Sequence, residues 1–316
     1  MSRIHRLILG ISPEETTFAR RGFRLANARA RDRLELAGRM FLTGYHEALG
    51  EVGPSEKLVS RLKRVKPEFR GFAFEGAAMG LTLLDQLSLR RRDRLRDFLN
   101  GSGVRHAYMI HVGAGWAFAR LHRNIEHSSA RMDPLLRWLV VDGYGFHEGY
   151  FYSPRYLGAH KGPRRLSNYG RRVFDQGFGR SLWFVNGAEV DEIRATIQAF
   201  PPLRHADLWS GVGLACAYVG GIDRPGLEAL QVAAGAYVSH LAQGVAFAAK
   251  ARQRAGNPAL QTELACAVLC GMSADKAANV TDAALEDLPH DSEEEPAYEV
   301  WRRRIRAWFA KEAVVA

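Results

Sequence analysis

Val140-Val141-Asp142-Gly143-Tyr144-Gly145-Phe146-His147-Glu148-Gly149 decides the fold, because it reads in two incompatible ways. Alone, two valines running into Gly-x-Gly read as a strand entering a phosphate-cradling glycine turn. The rest of the chain argues otherwise. The same pattern, a residue followed by Gly-x-small-large-small, returns in Glu75–Gly80, Val112–Ala117, Gln176–Ser181, Ser210–Ala215 and Gln243–Ala248. Its glycines Gly76, Gly113, Gly143, Gly177, Gly211 and Gly244 lie 30 to 37 residues apart, which is the period range of stacked helical units. One protein has no use for six phosphate cradles. The motif is therefore a packing device, and the expected fold is all-α: a helical-repeat array of six Gly-rich helices stacked into one domain.

Small residues also recur four apart, as in Gly76/Gly80, Gly113/Ala117, Gly177/Ser181, Gly211/Ala215 and Gly244/Ala248. One helical turn separates the members of each pair, which predicts a flat notch on one helix face. Glycine inside a helix costs about 0.8–1 kcal/mol relative to alanine, so a second backbone or a ligand is expected to approach closely there. Gly38 or Gly44, in a helix near Asp32–Leu49 that ends at Gly50, reads as a degenerate seventh copy.

Two copies break the template. Where the others have Gly, Ala or Ser, the third has His147; where the others have Met79, Trp116, Phe146, Leu214 and Phe247, the fourth has Arg180. An imidazole in a notch and a guanidinium in an apolar seam cost free energy unless paired or facing a wet cavity. The plain alternative is a hydrogen-bonded structural histidine and an Arg180 ion pair with Asp142, Glu148 or Asp175. On a regular helix Asp142 and His147 stand about 140° apart, so a site must be assembled across neighbouring helices. The expected catalytic set is His147, Glu148, Asp142, Asp175 and Arg180. Glu75, His111, Trp116, Tyr144, Gln176, Trp183, Trp209 and Gln243 are expected to bind substrate, the aromatic members by stacking on a flat ligand.

At 316 residues and 47% hydrophobic, the chain has ample material for a core, and the continuous repeat favours one domain over two. We expect an N-terminal arm over 1–25, a repeat domain over 26–272 and a helical cap over 273–316 that includes an acidic linker, Glu286 to Glu295. Ser12 caps a helix start at Pro13 in the arm. Further helices are expected near 54–66, 91–100, 188–199, 226–253, 258–271, 273–286 and 296–312. Ser153 to Arg172, rich in Pro and Gly, reads as a long basic loop that could close over a pocket. Three cysteines with no ligand cluster point to reduced, cytoplasmic usage and no metal. Leu7-Ile8-Leu9 is too short for a signal peptide, and charges beside the notches speak against burial in lipid. The net charge of +10 is an arginine effect. The clusters at Arg20-Arg21, Arg90–Arg96, Arg164–Arg172 and Arg302–Arg306 read as solvated faces, with no nucleic acid as partner.

Longer blocks carry a resemblance. Gly10-Ile11-Ser12-Pro13-Glu14-Glu15-Thr16-Thr17-Phe18, Arg70–Gly76, His111–Ala117, Asp142–Gly149, Phe174–Arg180, Ala206–Gly211 and Ala242–Ala248 are similar to a bacterial family known mainly from enediyne polyketide gene clusters. The resemblance spans essentially the entire chain. It implies a cytoplasmic tailoring enzyme acting on a polycyclic polyketide. In the anthraquinone-fused branch the implied step closes a carbon–carbon bond between anthraquinone and enediyne core, a conjugate addition with no redox cofactor. The resemblance assigns no individual catalytic residue, and it leaves homo-oligomerisation open. The competing reading is a non-catalytic helical-repeat module that binds or sequesters such an intermediate or a partner protein.

Overall fold

Residues 7–24, 27–50, 55–88, 92–159, 162–163, 165–292 and 295–315 are described by the structure, a computed structural model. They form sixteen α-helices and three short 3-10 turns, with no strand among the described residues. Seven helices make the body: α1 (Ala28–Gly50), α2 (Pro67–Leu87), α3 (Ala107–Arg120), α4 (Arg137–Ala159), α5 (Asn168–Val185), α6 (Pro202–Val219) and α7 (Val238–Ala255). Each packs on the next in chain order, and α8 (Ala297–Val315) lies against α7. Val140–Gly149 is inside α4, so the strand-and-turn reading of that stretch falls.

The seams are made of backbone. A Cβ added to Gly76, Gly113, Gly143, Gly177, Gly211 or Gly244 would overlap the carbonyl oxygen of Phe41, Glu75, Val112, Asp142, Gln176 or Ser210 respectively. From Gly113 onward, that carbonyl belongs to the residue just before the preceding helix's own first glycine. A second set faces the other way: Gly44, Gly115, Gly145, Gly179 and Gly213 abut the carbonyls of Ala73, Val140, Phe174, Leu208 and Leu241 on the following helix. The expected notch of residues four apart is therefore only part of the device. Residues i and i+2 stand about 200° apart on a helix, so Gly-x-Gly opens both flanks at once and lets each helix sit in mid-stack. Cα–H···O contacts at such seams contribute about 0.5–1 kcal/mol each, comparable to what the glycine costs the helix. Gly44 makes α1 the seventh member; Gly38 instead meets the side chain of Thr16.

The stack curls until its members meet across the interior. Arg33 of α1 and Arg252 of α7 both donate to carbonyls at the end of α6, those of Val219 and Tyr218, and Arg252 also reaches Glu68 O of α2 at 3.1 Å. The large-slot residues Met79, Trp116, Phe146 and Phe247 are buried in the one large core.

Several expectations are corrected. Ser153–Ala159 is not loop: α4 kinks at Tyr152 (φ −131°, ψ 27°) and resumes through Pro154, where the first turn of the new segment tolerates a missing N–H. The 226–253 helix is two, Arg224–Ala234 and α7, broken at Gly235 (φ 50°). Arg224–Ala255 is long and apolar enough on composition to cross a membrane, but this break divides it and more than half of it is buried in the domain. The arm forms a 3-10 turn, Pro13–Thr16, capped by Ser12 as expected, then a four-residue helix Phe18–Arg21. Part of the acidic linker, 293–294, lies outside the described residues. The Arg302–Arg306 cluster is only in part a solvated face: Arg303 is exposed, but Arg302 is fully buried and Arg306 half-buried, because both share a helix face with Glu299.

Gly177→Ala and Gly158→Ala test the seams against each other. Gly158 is helical but open around its Cβ, so alanine there should raise stability by about 0.5–1 kcal/mol. Alanine at Gly177 must push α4 and α5 apart and should cost about 3 kcal/mol or more. Urea unfolding midpoints check both.

Candidate active site

The residue before each first glycine holds the next helix through its carbonyl, and where it is polar its side chain joins a buried ladder. Gln176 Nε2 donates to Asp142 Oδ2 at 2.8 Å, and Ser210 Oγ donates to Gln243 Oε1 at 2.9 Å while lying 3.4 Å from Gln176 Oε1. Arg302 of α8 closes one end, donating to Gln243 at 3.3 Å and to Asp207 at 2.6 Å, with Glu299 beside it. Arg172 and Arg306 complete the pairing of Glu299. Burial would raise the Glu299 carboxyl, but these three arginines outweigh it and hold it at about 2. The charges at that end are paired, although Gln243 Nε2 and Arg306 Nη1 make no hydrogen bond of normal geometry.

The other end is not. Arg180, 3% exposed, pairs closely with Asp142, and its guanidinium lies over the Phe146 ring at 4.6 Å. Its remaining nitrogen stops 4.0 Å from Glu75. Glu75 is fully buried and neither carboxyl oxygen receives a hydrogen bond; the nearby Trp116 indole N–H is also unpaired by normal geometry. Burial drives the Glu75 carboxyl up to about 7 against the opposing pull of Arg180. With Glu75 ionised, two carboxylates face one guanidinium, and the cluster carries one uncompensated negative charge in a low-dielectric core.

These three groups stand between two small cavities. The first, about 40 Å³, is walled by Glu75 with Phe41, Phe72, Trp116, Phe146, Tyr150, Phe151 and Phe184, and closed by Ile11, Glu15 and Thr16 of the arm. The second, about 30 Å³, is walled by Asp142, Arg180, Tyr218, Leu214, Phe247 and Trp301 among others. The buried Tyr218 hydroxyl there makes no hydrogen bond of normal geometry. Trp116 is the hub of the first cavity, with ring centroids of Phe41, Phe146, Phe151 and Tyr150 at 4.6 to 5.9 Å.

A family model described as "Protein of unknown function (DUF1702)" matches residues 1–309. The chain belongs to the DUF1702 family. Nothing matches it among curated proteins or among solved structures.

Of the residues the sequence singled out in this DUF1702 chain, Glu75, Trp116, Asp142, Gln176, Arg180 and Gln243 form the single connected assembly just described. Arg180 takes the ion pair with Asp142 that the plain alternative foresaw. His147 and Glu148 form a second cluster, lining neither cavity: His147 Nδ1 lies 3.2 Å from Glu148, which accepts from Tyr156 Oη at 2.6 Å. Burial lowers the His147 pKa despite Glu148, and the bonds from His147 and Tyr156 hold Glu148 low against its burial. Trp116 touches this cluster too, its ring 5.6 Å from His147.

Asp175 stands apart, clamped by Arg204 at 2.5 and 2.9 Å; burial nevertheless raises it to about 6. His111 binds its own helix at Ala107 O, Trp183 binds Gly220 O, Tyr144 is half-buried against Phe174, and Trp209 is core. The arm residues and Phe41, Phe72, Tyr150, Phe151 and Phe184 were missed. Tyr150, one turn after Phe146, carried the only periodic signal.

Glu75 makes the stability of this DUF1702 protein pH-dependent. Its folded pKa is raised above the unfolded 4.5, so it costs nothing below that value. The penalty grows between about 4.5 and 7 and then stays, reaching on the order of 3 kcal/mol. Glu75→Gln should therefore flatten the fall in unfolding free energy from pH 5 to pH 8. A wild-type slope that survives this substitution rules Glu75 out as its source.

Proposed function

We propose that the protein is a tailoring enzyme of enediyne biosynthesis that closes a carbon–carbon bond within a polycyclic polyketide by acid–base chemistry at Glu75. The observation that carries this reading is Glu75 itself: a carboxyl near neutrality, fully buried, receiving no hydrogen bond of normal geometry at either oxygen, in an aromatic wall. A general base works best with a pKa near the working pH, and such proton transfer contributes about 10²–10⁴-fold. Glu75 removes the proton from a phenol or enolisable C–H. The resulting carbanion centre attacks an electrophilic alkene in the same molecule, and the proton returns to the new enolate. Bond formed, π bond consumed and proton returned balance as an isomerisation. Arg180 supplies the fixed positive charge for the developing oxyanion, and the Trp116 N–H supplies a donor. The resemblance read in the sequence supports the substrate class, and the aromatic wall suits a flat ring system.

This reading relocates the chemistry. His147 and Glu148, expected as base, hydrogen-bond each other and Tyr156 behind Trp116, where they support the wall. A cavity of about 40 Å³ holds one or two waters, so a polycyclic substrate must displace part of the wall to bind. The second reading, a binding module that sequesters the intermediate, draws on the same unpaired groups without turnover.

The test is incubation of the purified protein with extract of a producing strain that lacks its gene. A product of unchanged mass and altered retention is expected. Glu75→Gln should keep ligand binding and lower turnover by about 10²-fold or more. Gain or loss of hydrogen would reject the mechanism, and a ligand bound without conversion would favour the binding module.

A further inference from the structure

The first cavity is shut by a segment that does not belong to the helical stack. Ile11, Glu15 and Thr16 form its outer wall, and besides the packing of Leu9 and Ile11 on the core and of Thr16 on Gly38, the segment that carries them is held to the body by polar contacts at its edges. Leu9 O accepts from Tyr45 Oη at 2.6 Å and Arg120 Nη1 at 3.0 Å, and Ile11 N donates to His46 Nε2 at 3.3 Å. The far side depends on Arg21. Its Nη1 donates to Glu15 at 2.7 Å, while its Nη2 donates to Phe151 O at 2.7 Å and Tyr150 O at 3.3 Å. Its guanidinium also lies 4.8 Å from the Phe151 ring centroid.

The Tyr150 carbonyl is available for a definite reason. Tyr150 O would ordinarily accept from the N–H four residues on, but that residue is Pro154, which has none. The kink at Tyr152 splays the end of this turn, leaving carbonyl oxygens that need a donor. Arg21 provides it, and by the same fork grips Glu15 on the cavity wall. Beyond Arg21 the chain turns at Gly22 (φ 66°, open around its Cβ) and is pinned again at Arg24, whose N–H donates to Val185 O at 3.0 Å. Phe18, 2% exposed, is the apolar pivot next to that turn.

We infer that residues 9–17 are a hinged flap over the Glu75 cavity, fastened by Arg21 to the Tyr150 and Phe151 carbonyls at the kink of α4, and that its opening is the route by which ligand reaches Glu75. This deepens the reading of that cavity as the substrate chamber, but its test needs no substrate.

Hydrogen exchange of the full chain should show amides of 9–17 exchanging roughly tenfold faster in Arg21→Ala than in wild type, with α2 to α7 unchanged. Arg20→Ala is the control: Arg20 also bonds Glu15, at 2.9 Å, but is exposed, so exchange should stay as in wild type. Acrylamide quenching of Trp116, taken as the difference from Trp116→Phe, should rise severalfold in Arg21→Ala. Unchanged exchange at 9–17, acceleration spread equally over the stack, or an opened flap with Trp116 still unreachable would each overturn the inference. An opened, quencher-accessible flap in a protein that converts no intermediate would leave the flap standing and remove the proposed enzyme.

Discussion

A glycine Cα pressed against a neighbour's carbonyl oxygen is the contact on which everything else in this molecule depends. It is made at every seam of the stack from α1 to α7, and in most of them from both sides. Because the partner is main chain, the approach is unforgiving: there is no rotamer that moves a carbonyl aside. The register it fixes places the residue before each first glycine at a constant height in successive helices. That is why Asp142, Gln176, Ser210 and Gln243, none adjacent in sequence, can bond one another in a continuous buried row.

The row also shows how a fold tolerates polar groups in its core and where it declines to satisfy them. At the Arg302 end each charge has partners, and the carboxyl of Glu299 is held far into its ionised range. At the Glu75 end the only guanidinium within reach among the described residues, that of Arg180, is already committed to Asp142. The imbalance is concentrated on one side chain, Glu75, beside an aromatic cavity.

Much of this was legible because the repeat supplies its own alignment. Arg180 stood out in a column of apolar side chains, and Glu75, Asp142, Gln176 and Gln243 stood out as polar residues at one fixed slot. Gly-x-Gly was visible, yet its role was only half read, because pairs four apart suggest one face where pairs two apart serve two. What stayed hidden came from partners distant in the chain. Arg302 looks like a surface residue until Asp207, ninety-five positions earlier, is placed beside it. The cover of the cavity was assigned to Ser153–Arg172 on composition, whereas Pro154 there restarts a helix. Its consequence lies in the Tyr150 carbonyl, which it leaves for Arg21.

Division of labour between main chain and side chain has a further consequence. Neighbouring helices are held at their seams by atoms that every residue possesses, plus glycines that present none of their own. Trp116, Phe146, Leu214 and Phe247, which line the two cavities, are thus spared most of the duty of gluing helix to helix. Exchanging Phe146, Leu214 or Phe247 would therefore recut the inner space while the frame that carries them keeps its dimensions.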